Sequence, residues 1–584
     1  MTTVVERIAD TLEGRITEAF GLMGNGNAFL IDALERRTSI VYTAVRHEVA
    51  TVASADAYAR VARRPALATA TYGAGFTNTI TALADARMQR TPMLVIAGDA
   101  PTTGARPWDV DQVALAAAVG VPTVVVAREA PGRSTLEALE LAIRERTPVV
   151  LALPYDLPTA EAGDEALPAP RAGEFAAPVV EPAAADVAEV ARLLASAERP
   201  VVLAGRGAVD ARAELAALAD RLGALTVSSA PARGMFAGRA LDLGVAGGFS
   251  SERTLGYVRR ADVILVVGAS LNQFTSAFGS LYGDAHVIQI DVANAATNPR
   301  VDFFVRASAL AAVETIAAAL DATMADAGAR VPAQTWPGVD PADVSGAQFD
   351  RDLGLGTAPD GRLDPRSLAG ALDRILPEDR VIAHDGGHFI GWSSTHLRVP
   401  APDSIVLVGT AFQSIGLGFS SAMGAHRARP ESLLVVSTGD GGGLMALADL
   451  ESVVRTSKRA VVVVYNDAAY NAEVQQYGSQ GIGTGPMMIP EVDFAAVAKG
   501  VGAESLVVRS LDDLAAFERW IESDAEGTFV LDCRISREIV NDYQLEILVN
   551  GFGLDPVELG VVPPAGERDP RGVAAADAVP AARR

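Results

Sequence analysis

Short β-branched and aliphatic runs alternate along the chain with longer Ala- and Leu-rich stretches of helical periodicity. A first group is LATATY (67–72), PMLVIAG (92–98), PTVVVA (122–127) and PVVLALP (148–154). A second is RPVVLAG (199–205), DVILVVG (262–268) and HVIQID (286–291). A third is RVIAHDG (380–386), SLLVVSTGD (432–440), AVVVVYND (460–467) and TFVLDCR (528–534). Strands that are apolar throughout need cover on both faces, and intervening helices provide it, so the pattern predicts parallel sheets. Pro-, Ala- and Gly-rich stretches at 154–184 and about 322–362 separate the groups. The expected fold class is α/β, with three doubly wound parallel-sheet domains. The expected boundaries are 1–160, a connection at 161–185, 186–325, a connection at 326–362, 363–545 and a tail at 546–584. The Pro- and Ala-rich end from about 562 reads as mobile.

Composition narrows the function. The chain has 584 residues, enough for three such cores. With 72 acidic against 49 basic residues its net charge is −23. Nucleic acid and anionic membrane demand a basic footprint, so neither is expected as a partner. No apolar run approaches the ~20 residues of a membrane span. The opening MTTVVERIAD has no basic segment followed by an apolar run, so a cytoplasmic protein acting on a small molecule is expected. Cys533 is the single cysteine and permits no intrachain disulfide. The only lysines, Lys458 and Lys499, leave little for Schiff-base chemistry.

In doubly wound sheets ligands sit at the carboxyl ends of strands. Gly439-Asp440-Gly441-Gly442-Gly443 follows one predicted strand and precedes a helix expected to begin near Leu444. Such glycines let backbone approach a phosphate, and Asp440 adds a hard oxygen. The next strand ends at Asn466-Asp467, 26 residues beyond Asp440. Adjacent tips offering a carboxylate and an amide oxygen suit Mg²⁺ beside a diphosphate. Taken alone, GDG also fits an ordinary tight turn. His384, His388 and His396 show no zinc-site spacing.

The GDG–Asn spacing over 439–467 resembles the signature of the thiamine diphosphate-dependent enzymes, in their acetolactate synthase-like branch. The resemblance implies thiamine diphosphate and Mg²⁺, with Asp440, Asn466 and the Ala468 carbonyl as metal ligands. The stretch from His47-Glu48 through TYGAGFTN and ALADA (45–86) is similar to the family's opening block, and Glu48 falls on its cofactor-activating glutamate. An apolar Val/Ala setting is expected to hold that carboxyl near neutrality, ready to share a proton with the pyrimidine ring. GTAFQSIGLGF (409–419) resembles the block that bends the cofactor, with Ile415 beneath it and the Gln413 carbonyl facing its amino group. HDGGHF (384–389) resembles a diphosphate-contact block, which makes Gly387 and His388 cofactor-binding candidates beside Gly439, Gly441 and Gly442. The three domains then correspond to pyrimidine-binding, nucleotide-binding-like and diphosphate-binding units, and the family implies a homodimer or homotetramer with shared active sites.

Departures bear on the substrate. Glu473, seven residues past Asn466, matches a catalytic carboxylate of pyruvate decarboxylase-like members, or else is an exposed helix-start residue. The decarboxylases' paired His is missing after AGD (97–99), and Trp108 replaces a usual Gln. Asn25 (with Asn27), Tyr72, Phe76 and Trp108 are expected around a pocket unlike one for plain pyruvate. In the middle domain AGRGA (204–208) and VGASLNQFT (267–275) lack the flavin-site charges, leaving FAD, ADP or neither open. The first expectation is acetolactate synthase-like carboligation. A 2-hydroxyacyl-CoA lyase, a 2-oxo acid decarboxylase and a non-catalytic subunit of the same fold are the alternatives.

Overall fold

Each of the eleven apolar runs becomes a strand in the computed structural model, which describes residues 2–171, 173, 174, 176–326, 336, 338–556 and 559. The first sheet contains β1 (Glu18–Gly21), β2 (Val41–Ala44), β3 (Leu67–Ala70), β4 (Met93–Asp99), β5 (Thr123–Val125) and β6 (Pro148–Pro154). The second contains β7 (Pro200–Ala204), β8 (Leu225–Ser228), β9 (Asp242–Val245), β10 (Val263–Val267), β11 (His286–Asp291) and β12 (Phe303–Arg306). The third contains β13 (Arg380–His384), β14 (Ile405–Leu407), β15 (Leu433–Gly439), β16 (Arg459–Asn466), β17 (Glu504–Val508) and β18 (Gly527–Arg534). Their orders are β2-β1-β3-β4-β6-β5, β12-β11-β10-β7-β8-β9 and β14-β13-β15-β16-β18-β17. The pairings within the sheets are parallel, for example β4 with β6, β10 with β7 and β15 with β16. The first and third sheets therefore share one order, while the middle sheet has the dinucleotide-binding order.

Burial and length together account for most of the strands the apolar pattern revealed, although partly exposed β5 was among them and the short buried β1, β8, β9 and β14 were not. β6 is buried at every position and β16 at all but its first. β2 and β17, at sheet edges, are only partly buried and carry mixed sequences.

The first and third units share one hydrophobic core, in which Ala50, Ala53 and Ala57 join Phe419, Ala422 and Met423. The helices Glu48–Ala62 and Gly418–Ala428 form its seam. Ser54 Oγ donates to the Ser420 carbonyl at 2.7 Å, and a Cβ at Gly424 would collide with the Ser54 carbonyl. Only glycine permits this approach. Arg427 adds two 2.8 Å hydrogen bonds to Glu18 across the same boundary.

The connections are partly packed. Val4 N–H donates to the Ala160 carbonyl at 3.0 Å, and Leu157 is buried. Within 326–362 the helix Pro341–Ala347 buries Val344 and Ala347 in the middle unit, where the Trp336 indole donates to the Pro200 carbonyl. The helix Asp542–Glu546 and the turn Ile547–Gly551 return the chain to the middle unit. The segment expected to be mobile from about 562 lies outside the described residues. Among the described residues no helix is long and apolar enough to cross a membrane.

Candidate functional site

A cavity of about 1090 Å³ opens at the carboxyl ends of strands in the second and third sheets. Parallel pairing aligns Gly439 with Tyr465, so Asp440 and Asn466 leave neighbouring strands side by side. Asp440 Oδ2 and Asn466 Oδ1 are both buried without a hydrogen-bond partner. Asn466 uses its amide nitrogen on Asp532 (2.9 Å) and the Val492 carbonyl (3.0 Å), which aims the oxygen elsewhere. Burial pushes the Asp440 carboxyl up to about 6, against backbone N–H groups that favour its ionised form. Asp467 is pushed well above the ordinary carboxylate range, first by burial and then by Asp440. Orphaned oxygens beside two crowded carboxyls fit a divalent cation. Ala468 adopts φ +58°, and its carbonyl already accepts the Ile489 N–H at 3.0 Å.

The helix expected near Leu444 begins instead at Asp440 and runs to Met445. Its glycines serve close packing. A Cβ on Gly441 would come within 2.6 Å of the Tyr470 ring, and one on Gly442 would strike the Asp385 carboxylate. Gly439 is bounded likewise by the Phe389 ring at 2.9 Å. All three also line the cavity.

Gly387, His388, Gln413 and Ile415 line the same space. Gly387 has φ +128°, a conformation reserved for glycine. Burial pulls His388 down to about 4, leaving a neutral imidazole. Its backbone carbonyl accepts from Asn541 at 2.6 Å, tying the C-terminal helix to the site. Gln413 is exposed at φ +58°, and Ile415 is half-buried. Glu473 is exposed on the cavity wall at the short helical turn Asn471–Glu473.

The first unit's candidates stand apart from this cavity. Glu48 opens its helix half-buried, and its Oε2 accepts from Asn78 at 3.0 Å. The apolar enclosure expected for it is therefore absent within one chain, because the surrounding turn is polar and open. Phe76 is a correction. It is fully buried in the shared core and is not on the wall of the cavity. Asn27 is also structural, with its amide on Thr69 (3.1 Å) and the Leu22 carbonyl (3.1 Å). Asn25 is exposed and donates to Tyr72 (3.1 Å) and Tyr155 (3.3 Å), while Trp108 is 60% exposed.

Several residues escaped the sequence reading. Arg106 lies in the corner formed by the edge-to-face Tyr72 and Tyr155 rings and pairs with Asp109. Buried Asp385 accepts from Gly416 (2.8 Å), Leu417 (3.2 Å) and Thr438 (2.9 Å). Asp85 holds the far end of the same loop. An acid following a strand, or one inside the apolar stretch ITALADARM, is the signal that would have found these two.

The cavity's other arm reaches the middle sheet. There Gly207, Gly268 and Ser270 follow β7 and β10, Asp291 ends β11, and Arg90, Arg146 and Arg206 bring positive charge. Among the described residues no group of three or more His, Cys, Asp or Glu side chains is arranged to hold a metal ion.

Fold and site together define a cofactor-dependent α/β enzyme. Three family profiles match in chain order: "Thiamine pyrophosphate enzyme, N-terminal TPP binding domain" over 2–118, the central domain over 187–322 and the "C-terminal TPP binding domain" over 385–533. The chain belongs to the thiamine pyrophosphate (thiamine diphosphate) enzyme family. It is 27% identical to the sulfoacetaldehyde acetyltransferase of Castellaniella defragrans, over 91% of this chain and 93% of that one. It is 25% identical to a probable acetolactate synthase large subunit of Methanocaldococcus jannaschii, over 96% and 93%. The solved Rhodococcus jostii RHA1 thiamine diphosphate-dependent 4-hydroxybenzoylformate decarboxylase shares the fold, with TM-score 0.74, 21% identity and coverage of 92% and 99%.

Proposed function

We propose that the enzyme uses thiamine diphosphate with Mg²⁺ to form or cleave a carbon–carbon bond beside a carbonyl. The reading is an acetolactate synthase-like carboligation of a 2-oxo acid or related substrate. The observation that carries it is the pair of unpartnered buried oxygens on Asp440 and Asn466 above a cavity that reaches Glu473. These two and the Ala468 carbonyl would hold the cation. The cofactor, when bound, supplies a nucleophilic ring carbon and an electron sink. Gly387, His388 and the 439–442 turn form the wall for its diphosphate, and Ile415 and the Gln413 carbonyl bend and orient its rings. Glu473 moves a proton at the substrate oxygen or carbon.

Glu48 is not among the residues lining its own chain's cavity, so this reading requires a second copy that brings Glu48 to the pyrimidine nitrogen. Exposed Met23, Phe29 and Trp108 on the first unit, and Phe412, Met445 and Ile482 on the third, are apolar surface suited to a homodimer or homotetramer. The arginines and Asp291 in the middle arm suit an adenine nucleotide such as ADP, whereas Ser270, Asn272 and Gln273 argue against FAD.

The test is purified protein with thiamine diphosphate and Mg²⁺, offered pyruvate, sulfoacetaldehyde, or formyl-CoA with a ketone. Acetolactate formation from pyruvate supports the reading, and turnover confined to the CoA substrate replaces it with a 2-hydroxyacyl-CoA lyase. Glu48→Gln is expected to keep cofactor binding while losing most turnover. Unchanged turnover would remove Glu48 from the reaction.

A further inference from the structure

Away from the cavity, three ionisable side chains are buried together where the first unit meets the third: Asp56 and Arg60 on the helix Glu48–Ala62, and Asp85 on the helix Ile80–Met88. Asp85 is fully buried. Its Oδ2 accepts from Arg60 (3.1 Å) and the Gly409 N–H (2.8 Å). Its Oδ1 accepts from the Ala411 and Phe412 N–H groups, both at 3.0 Å. Arg60 is occupied in turn by Asp56 and by the Leu407 carbonyl at 2.8 Å. One carboxylate of the first unit thus gathers three backbone donors of a loop in the third. Ala411, Phe412 and Gln413 are themselves exposed, so packing does not fix them. Asp385 secures the loop's other end through Gly416 and Leu417. Between these anchors lie Gln413, Ser414 and Ile415, with Gln413 held in the left-handed region.

We propose that Asp85 is a positioning residue for the cofactor: by binding the 409, 411 and 412 amides it fixes the Gln413 carbonyl and Ile415 before the cofactor arrives. This rests on the cofactor role assigned above to Gln413 and Ile415. A carboxylate has four acceptor sites and no donor, which matches four inward-pointing N–H groups. Asn at this position keeps the shape but turns an NH₂ group toward donors. A staple that served only domain docking would change stability and leave cofactor affinity in the folded protein untouched.

The test compares wild type with Asp85→Asn by calorimetric binding of thiamine diphosphate in Mg²⁺, steady-state kinetics, and hydrogen exchange of peptides spanning 405–417. In the variant the 409–412 amides are expected to exchange at least about tenfold faster, the cofactor Kd to rise about tenfold and kcat at saturating cofactor to fall about tenfold, with KM nearly unchanged. A folded variant with wild-type cofactor affinity and kcat overturns the proposal. If Asp85→Asn does not fold, exchange in cofactor-free wild type decides. Slow 409–412 amides support a loop set in advance by Asp85, and fast amides that slow only with cofactor overturn it. Wild type that binds no thiamine diphosphate refutes the proposed function instead, a result separate from either exchange outcome.

Discussion

The Arg106 guanidinium carbon lies 4.0 Å from the centre of the Tyr72 ring. Tyr155, packed edge-to-face on Tyr72, forms the second wall of the corner at 4.4 Å, and Asp109 pairs with the guanidinium at 2.6 Å. The loop after β4 is thereby tied to the turn whose Gly75 lies beside Glu48, where a Cβ would stand 3.4 Å from Oε1. Arg106→Ala is expected to lower stability, since it removes cation–π contacts with Tyr72, Trp108 and Tyr155 and the ion pair with Asp109. It should raise KM more than it lowers kcat. Denaturant unfolding and steady-state kinetics check both.

Asp440→Asn should act with opposite signs on the cofactor-free and loaded enzyme. The folded carboxyl is raised to about 6 by burial, so it keeps its proton where the unfolded chain, at 3.8, has lost it. Cofactor-free stability therefore falls as pH rises from about 4 to about 6 and stays reduced above that. The variant removes this loss, so its cofactor-free melting temperature at pH 8 should be higher than wild type's. Its stabilisation by Mg²⁺ with thiamine diphosphate should vanish. Thermal unfolding with and without both ligands reads the two signs.

Glu546 gives a second pH signature. Burial raises it to about 7, Glu252 adds to the rise and Arg259 opposes it. The side chain sits against Gly248 of the middle unit, where a Cβ would meet its Oε2 at 2.6 Å. Its contribution is fully present below pH about 4.5 and is lost as pH rises through about 7. Glu546→Gln should flatten that part of the stability profile and slow opening of the C-terminal helix at pH 8, as measured by hydrogen exchange.

Gly424→Val should be among the most damaging single changes. Its Cβ would overlap the Ser54 carbonyl, and backbone on both sides leaves no flexible side chain to yield. Overpacking costs typically about 1–3 kcal/mol and more where backbone must move. Loss of soluble protein, or a melting temperature lowered by several degrees, is the expected result.

The strands buried on both faces were legible in the sequence, because burial there demands uninterrupted Val, Leu and Ile. β1, β8 and β14 were not. They are three or four residues long, and EAFG, LTVS and IVL differ too little from loop or helix sequence. The closeness of Asp440 and Asn466 was legible from their spacing, since adjacent parallel strands turn a sequence interval into a distance. The substrate surroundings were read less well. Phe76 went into the core because the helical turn at 74–77 points it inward, and Arg106 drew no notice because its meaning depends on Tyr155, which arrives from beyond β6. Asp85 was hidden for the same reason, as its backbone partners lie more than three hundred residues away.

The seam at Gly424 has one more consequence. The helix Glu48–Ala62 follows the second strand of the first sheet, and Gly418–Ala428 follows the second strand of the third, so two sheets of equal order meet through counterpart helices. One of these helices starts at Glu48 and the other just past Ile415, so a slip along the seam would shift these two residues relative to each other.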